Sequence, residues 1–180
     1  MTTKRLRITV LLLLLPLALA ARPAAAQPAA RGVEFLLGRQ AADGRWDSPS
    51  VRPAHATAEA LLALQAVAPT EAGARSAAAG FLEAGEILDS DDRARRLLAL
   101  AGEGRDVSAL AAALFTDRDP RGGWGLTAEF RADPLDTSLA LLALDGRPGI
   151  DNEVMRRALG RLLGTQRPDG GFPCVEAGDQ

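Results

Sequence analysis

Few side chains in this 180-residue chain are of types that do chemistry. Asp133 and Asp136 stand ahead of an apolar run, His55 is the one histidine and Cys174 the one cysteine. A lone cysteine forms no internal disulfide, and zinc asks for three or four converging protein ligands that neither His55 nor Cys174 gathers in sequence. No metal or cofactor is therefore expected. Nor is there a Ser-His-Asp grouping or a phosphate-cradling glycine loop. Asp136, just before Leu139 to Leu144, reads as a helix cap, and Asp133 as a loop carboxylate.

What the chain offers in place of a dense chemical motif is a phrase that occurs twice. Leu36-Leu37-Gly38-Arg39-Gln40-Ala41-Ala42-Asp43-Gly44-Arg45-Trp46 is matched position for position by Leu162-Leu163-Gly164-Thr165-Gln166-Arg167-Pro168-Asp169-Gly170-Gly171-Phe172. A looser third copy runs from Leu114-Phe115 to Gly122-Gly123-Trp124. A spacing that survives substitution marks repeated supersecondary units. Gly44, Gly122, Gly123, Gly170 and Gly171 allow positive φ after a helix, so the following Trp46, Trp124 or Phe172 can fold back on the helix end. The amides of Gln40 and Gln166, one turn earlier, are placed to tie down loose carbonyls. These residues read as structural staples.

The elements between the turns carry helical periodicity. Val33, Leu36, Leu37 and Gln40 share one face, as do Met155, Leu159, Leu162, Leu163 and Gln166. A second helix type carries the runs Leu61 to Leu64, Leu97 to Leu100 and Leu141 to Leu144, and in the last case Leu139 to Leu144 is apolar on every side, as expected of a helix enclosed by neighbours. Asp106, Asp136 and Asp151 are placed as caps, while Pro69, Pro120 and Pro148 fall in gaps. Helices are expected near 30–42, 55–67, 71–87, 91–102, 106–117, 136–145 and 151–167, outer and inner in alternation, with no substantial sheet. Aromatics are few and alanine is abundant, so the core is expected to be closely packed Ala and Leu.

Lys4, Arg5 and Arg7 precede an apolar stretch from Ile8 to Ala21 and the exit Ala24-Ala25-Ala26, the layout of a secretory signal peptide over residues 1–26. The stretch is shorter than the ~20 residues that span a bilayer, so no stable anchor is expected after cleavage. The protein is expected to be secreted or periplasmic. Losing Lys4, Arg5, Arg7 and Arg22 with the leader takes 21 basic residues to 17 against 23 acidic, a net charge of −6. That balance disfavours nucleic acid and anionic membranes as partners.

The Gln-x-x-Asp-Gly-x-aromatic segments 40–46 and 166–172 resemble the QW motif of squalene and oxidosqualene cyclases, a repeat related to that of protein prenyltransferase β-subunits. The resemblance covers residues 29–180, with 71–105 lacking its aromatic turn, and implies an all-α (α/α) toroid of about three and a half helix pairs. Squalene cyclases donate a proton from the middle aspartate of Asp-x-Asp-Asp-Thr-Ala at the start of an inner helix. In Asp133-Pro134-Leu135-Asp136-Thr137-Ser138 the resemblance carries over Asp133, Asp136 and Thr137 as weak catalytic candidates, with Leu135 at the donor position. The zinc set of the prenyltransferases has no counterpart around Cys174.

The expectation from sequence is an exported, cyclase-like repeat protein, non-catalytic as this chain, that binds a hydrophobic ligand or a protein partner. The alternative is the front part of a terpene cyclase or prenyltransferase-like enzyme, cut short at the C-terminus, whose catalytic residues lie beyond Gln180.

Overall fold

Glycine and proline punctuation decides where the helices stop. The computed structural model describes residues 26–173, and every regular element among them is a helix. The expected leader, except for Ala26, and Cys174 lie outside the described residues. Contacts divide the chain between Gly38 and Arg39. The first unit contributes α1 (Ala26–Leu37), which leaves Val33, Leu36 and Leu37 half-buried and Glu34 and Phe35 exposed, as the periodicity requires. Among the described residues no helix is long and apolar enough to cross a membrane.

The second unit contains α2 (Pro53–Val67), α3 (Ala72–Ala84), α4 (Ser90–Gly102), α5 (Ser108–Thr116), α6 (Pro134–Leu144) and α7 (Asn152–Gly164). Its packing is a two-layer array. Helix α4 lies against both α2 and α6 to form an inner row, and α3, α5 and α7 cover that row from outside. Small residues make the close approach: Ala58, Ala94, Ala99, Ala140 and Ala143 are fully buried, with Leu61, Leu64, Leu97, Leu114 and Leu144 filling the spaces between layers.

The expected all-α class and helix order are thus observed, and the differences lie at helix ends. Helix α1 stops at Leu37 instead of 42. Gly38 follows it, and the Ala41 N–H is taken by the Arg45 carbonyl within the turn. Helix α3 stops at Ala84 instead of 87, because the Arg96 guanidinium takes the carbonyls of Leu82, Gly85 and Glu86. Asp136 is not the cap of α6. Pro134 starts the helix earlier, so Asp133 is the N-cap and accepts from the Asp136 N–H at 3.0 Å. Asp106 and Asp151 do accept from nearby helix N–H groups, those of Ser108 at 2.9 Å and Glu153 at 2.8 Å.

The three Gly-aromatic turns share one hydrogen-bond pattern. Ala41 donates to Arg45 and Gly44 to Ala41; Asp119 donates to Gly123 and Gly122 to Asp119; Arg167 donates to Gly171 and Gly170 to Arg167. The glycine at the bend has φ of 90°, 99° and 86° in turn. At Gly44 space matters too, since a Cβ there would meet the Ala77 carbonyl oxygen at 2.2 Å. The Gln40 amide donates to Gly44 and Ala74 carbonyls, and the Gln166 amide to the Gly170 carbonyl. Trp46 and Trp124 are buried, and Phe172 remains 39 % exposed.

Candidate functional site: an acid cluster at three helix starts

Inner helices α2, α4 and α6 run in the same sense, so their N-caps Arg52, Asp89 and Asp133 come to one place. All three line a cleft of about 650 Å³ together with Asp91, Asp136 and Ser138. Its remaining wall is apolar, from Leu126, Pro134, Leu135, Leu162, Phe172 and Pro173. Each helix N-terminus carries positive partial charge, which favours carboxylates at this convergence.

The carboxylates differ in what holds them. Asp89 caps α4 by accepting from the Asp92 N–H at 2.8 Å, and its other oxygen accepts from Arg52 Nη2 at 2.7 Å. Asp91 accepts from Arg95 Nε at 2.7 Å and faces His55 Nε2 at 3.1 Å. That same Nε2 lies 2.8 Å from Arg52 Nη2. A neutral ring would accept there from Arg52, and a protonated ring would donate to Asp91. His55, Asp89 and Asp91 bring three potential ligand atoms within 4.8 Å of one another, with Arg52 and Arg95 as the cations already in contact.

Among the described residues no cation pairs with Asp136. It is 7 % exposed, and burial pushes its carboxyl up to about 7; the hydrogen bond and charge of Asp133 and the charges of Asp91 and Asp89 add to the rise. At neutral pH this group therefore carries a proton for a substantial fraction of the time. A protonated carboxylic acid beside an apolar cleft is a general acid, and the surrounding carboxylates favour positive charge that develops opposite it.

The Trp124 turn places this acid. Its carbonyl accepts from the Asp133 N–H at 2.9 Å and from the Thr137 hydroxyl at 3.1 Å, while its N–H donates to Thr137 Oγ1 at 2.9 Å. The indole Nε1 donates to the Leu114 carbonyl at 2.6 Å, fixing the turn to α5. Leu126, two residues on, accepts from the Ser90 N–H and so joins the start of α4 to the same loop. Gly123, at φ 89°, leaves the room this needs, for a Cβ there would lie 2.8 Å from Thr137 Oγ1. The first turn uses the same device, with the Trp46 N–H donating to Thr57 Oγ1 on α2 at 2.9 Å.

Of the residues singled out from sequence, Asp133 and Asp136 stand in the cleft and Phe172 on its wall, whereas Gln40, Gly44 and Trp46 build the first turn away from it. The segment Asp89-Ser90-Asp91-Asp92 was not singled out, although it has an Asp-x-Asp-Asp spacing at an inner-helix start. That spacing was the available signal. Asp92, the last of the four, is 1 % exposed and spent on a buried pair with Arg96.

No protein-family model matches the chain. A stretch of 51 residues is 43 % identical to drimenyl diphosphate synthase of Streptantibioticus cattleyicolor, covering 28 % of this chain and 9 % of that protein. The chain is thus related over this stretch to a terpene synthase, a partial and terpenoid-cyclase-like relation.

Proposed function

We propose that this protein is an exported helical module of the (α/α)-toroid type that receives an isoprenoid chain in its cleft and delivers a proton from Asp136 to one of its double bonds. The observation that carries the reading is a buried carboxyl, Asp136, set with Asp133, Asp89 and Asp91 on the wall of a largely apolar cleft and paired with no cation among the described residues, an environment that raises its pKa. The partial relation to drimenyl diphosphate synthase and the Gln-Gly-aromatic turns support an isoprenoid as the substrate class. In the step, the Asp136 O–H bond breaks as a C–H bond forms, leaving a carboxylate and a carbocation. Asp133, Asp89 and Asp91 stabilise that positive charge.

Leu135 favours a second reading, in which the cleft holds a hydrophobic ligand or a segment of a partner protein without turning it over. Leucine there supplies no proton at the position the cyclase resemblance uses. Incubating the full chain with squalene and with a linear polyprenyl diphosphate, and analysing products by mass spectrometry, separates the two. Cyclic product from the native chain that drops by about 10²–10⁴ in Asp136→Asn supports the acid role. Binding with no product from either supports the second reading, and neither binding nor product removes both. Export is tested by recovering the processed chain outside the cytoplasm.

A further inference from the structure

The inner-helix arginine Arg96 is buried deep behind the cleft, and its contacts reach the acids only through intermediates. It is 3 % exposed and makes four hydrogen bonds: Nε to Asp92 Oδ1 at 2.8 Å, Nη1 to the carbonyls of Leu82 and Gly85 at 2.7 Å each, and Nη2 to the carbonyl of Glu86 at 2.5 Å. Asp92 in turn accepts from the Leu88 N–H at 3.3 Å, and its own N–H is the donor that Asp89 caps. One guanidinium thereby gathers the end of α3, the link at 85–88 and the first turn of α4. A planar five-donor group does this where an ammonium could not, because three carbonyls and a carboxylate lie around it in a fork.

We infer that Arg96 is the positioning residue of the acid cluster: by clamping the 85–88 link to Asp92, it fixes how close Asp89 and Asp91 stand to Asp136. The inference rests on the acid-site reading above, and it concerns a residue that never meets the ligand. Without the clamp, the three carbonyls would seek water, the link would loosen, and Asp89 would lose the backbone partner that orients it toward Arg52. The charged groups lining the cleft with Asp136 are Asp133 on its own helix, Asp89 and Asp91 from α4, and Arg52 ahead of α2, which is bonded to Asp89, so a displacement of α4's first turn alters two of the three carboxylates and the place of that cation.

The test follows the Asp136 carboxyl by ¹³C NMR titration in the full-length chain, with thermal unfolding recorded in parallel. Two variants are compared with the native chain: the double substitution Asp92→Leu/Arg96→Met, which replaces a buried ion pair by apolar side chains and so preserves packing, and the single Arg96→Lys. In the folded double variant the Asp136 midpoint is expected to fall by roughly half a pH unit, about a threefold change in proton occupancy, with a smaller fall in Arg96→Lys. An unmoved midpoint in a folded variant overturns the inference, as does the collapse of both variants, since Arg96 would then be scaffold with no separate hold on the acids. An ordinary carboxylate midpoint for Asp136 in the native chain overturns the acid-site reading itself, so the two failures are distinguishable.

Discussion

Helices α4 and α6 begin with the same device and put it to opposite use. In each, an aspartate caps the helix by accepting from the N–H of a second aspartate three residues on: Asp89 from Asp92, and Asp133 from Asp136. Four residues past Asp92 stands Arg96, and the first turns of α4 also hold Arg93, paired with Asp117, and Arg95, paired with Asp91 and Glu59. Four residues past Asp136 stands Ala140, and α6 carries no cation at all. The box is a neutral structural element; what lies one turn further along decides whether its second carboxylate is spent on the fold or kept available for a proton.

The comparison breaks most visibly if Arg96 is removed alone. Arg96→Met leaves Asp92 buried without its partner and is expected to cost about 3–5 kcal/mol in urea unfolding; a cost under about 1 kcal/mol would mean the two helix starts are not so different. Asp136→Asn is expected to do the reverse. The Asp136 carboxyl, raised to about 7, holds its proton in the folded chain while the unfolded chain releases it near 3.8. The folded state therefore binds more protons between those values, and stability declines as pH rises from about 4 to about 7 and stays low above. Asparagine has no charge to bury, so the variant should be more stable than the native chain at pH 8, by on the order of 3 kcal/mol, and equal to it near pH 3. Equal stability at both pH values would show that Asp136 is not held protonated.

Smaller changes sharpen the contrast. Where α4 has Arg93 after its second aspartate, α6 has Thr137, whose hydroxyl serves the Trp124 backbone in both directions. Thr137→Val orphans a buried N–H and should cost about 1–3 kcal/mol, with a comparable loss for Thr57→Val at the first turn. Asp133→Asn retains an acceptor for the cap while removing the nearest like charge. Its stability should change by less than about 1 kcal/mol, and the Asp136 titration midpoint should move down.

Much of the scaffold was readable from residue spacing. The three turns obey one rule of length, so class and order followed from periodicity, but the expected enclosure of the all-round apolar helix did not: Leu135 and Leu142 of α6 are 61 % and 63 % exposed, because no further helix covers that face among the described residues. The ends were harder, because they depend on partners distant in sequence: Arg96 takes the carbonyls that end α3 from 10 to 14 residues downstream, and nothing local says so. The cluster was harder still. Asp89 and Asp91 belong to a run that reads as an ordinary acidic helix start, and Asp136 reads as a cap until Pro134 is given the first helical position. Only the common direction of α2, α4 and α6 brings residues 52, 89 and 133 to one cleft, and direction is a property of packing that a linear pattern does not carry.

The methyl-lined contact between inner helices sets how such a protein can move. Alanine surrenders no rotamer freedom on folding, so Ala58, Ala94, Ala99, Ala140 and Ala143 hold the backbones together without freezing anything. They also leave nothing to re-arrange: a methyl has no second conformer through which a neighbour's shift could be absorbed or passed on. Adaptation to a bulky guest then falls to the exposed apolar side chains on the cleft wall, such as Leu135 and Leu126, because the bends between the rods are pinned by the hydrogen bonds of the Trp46 and Trp124 turns.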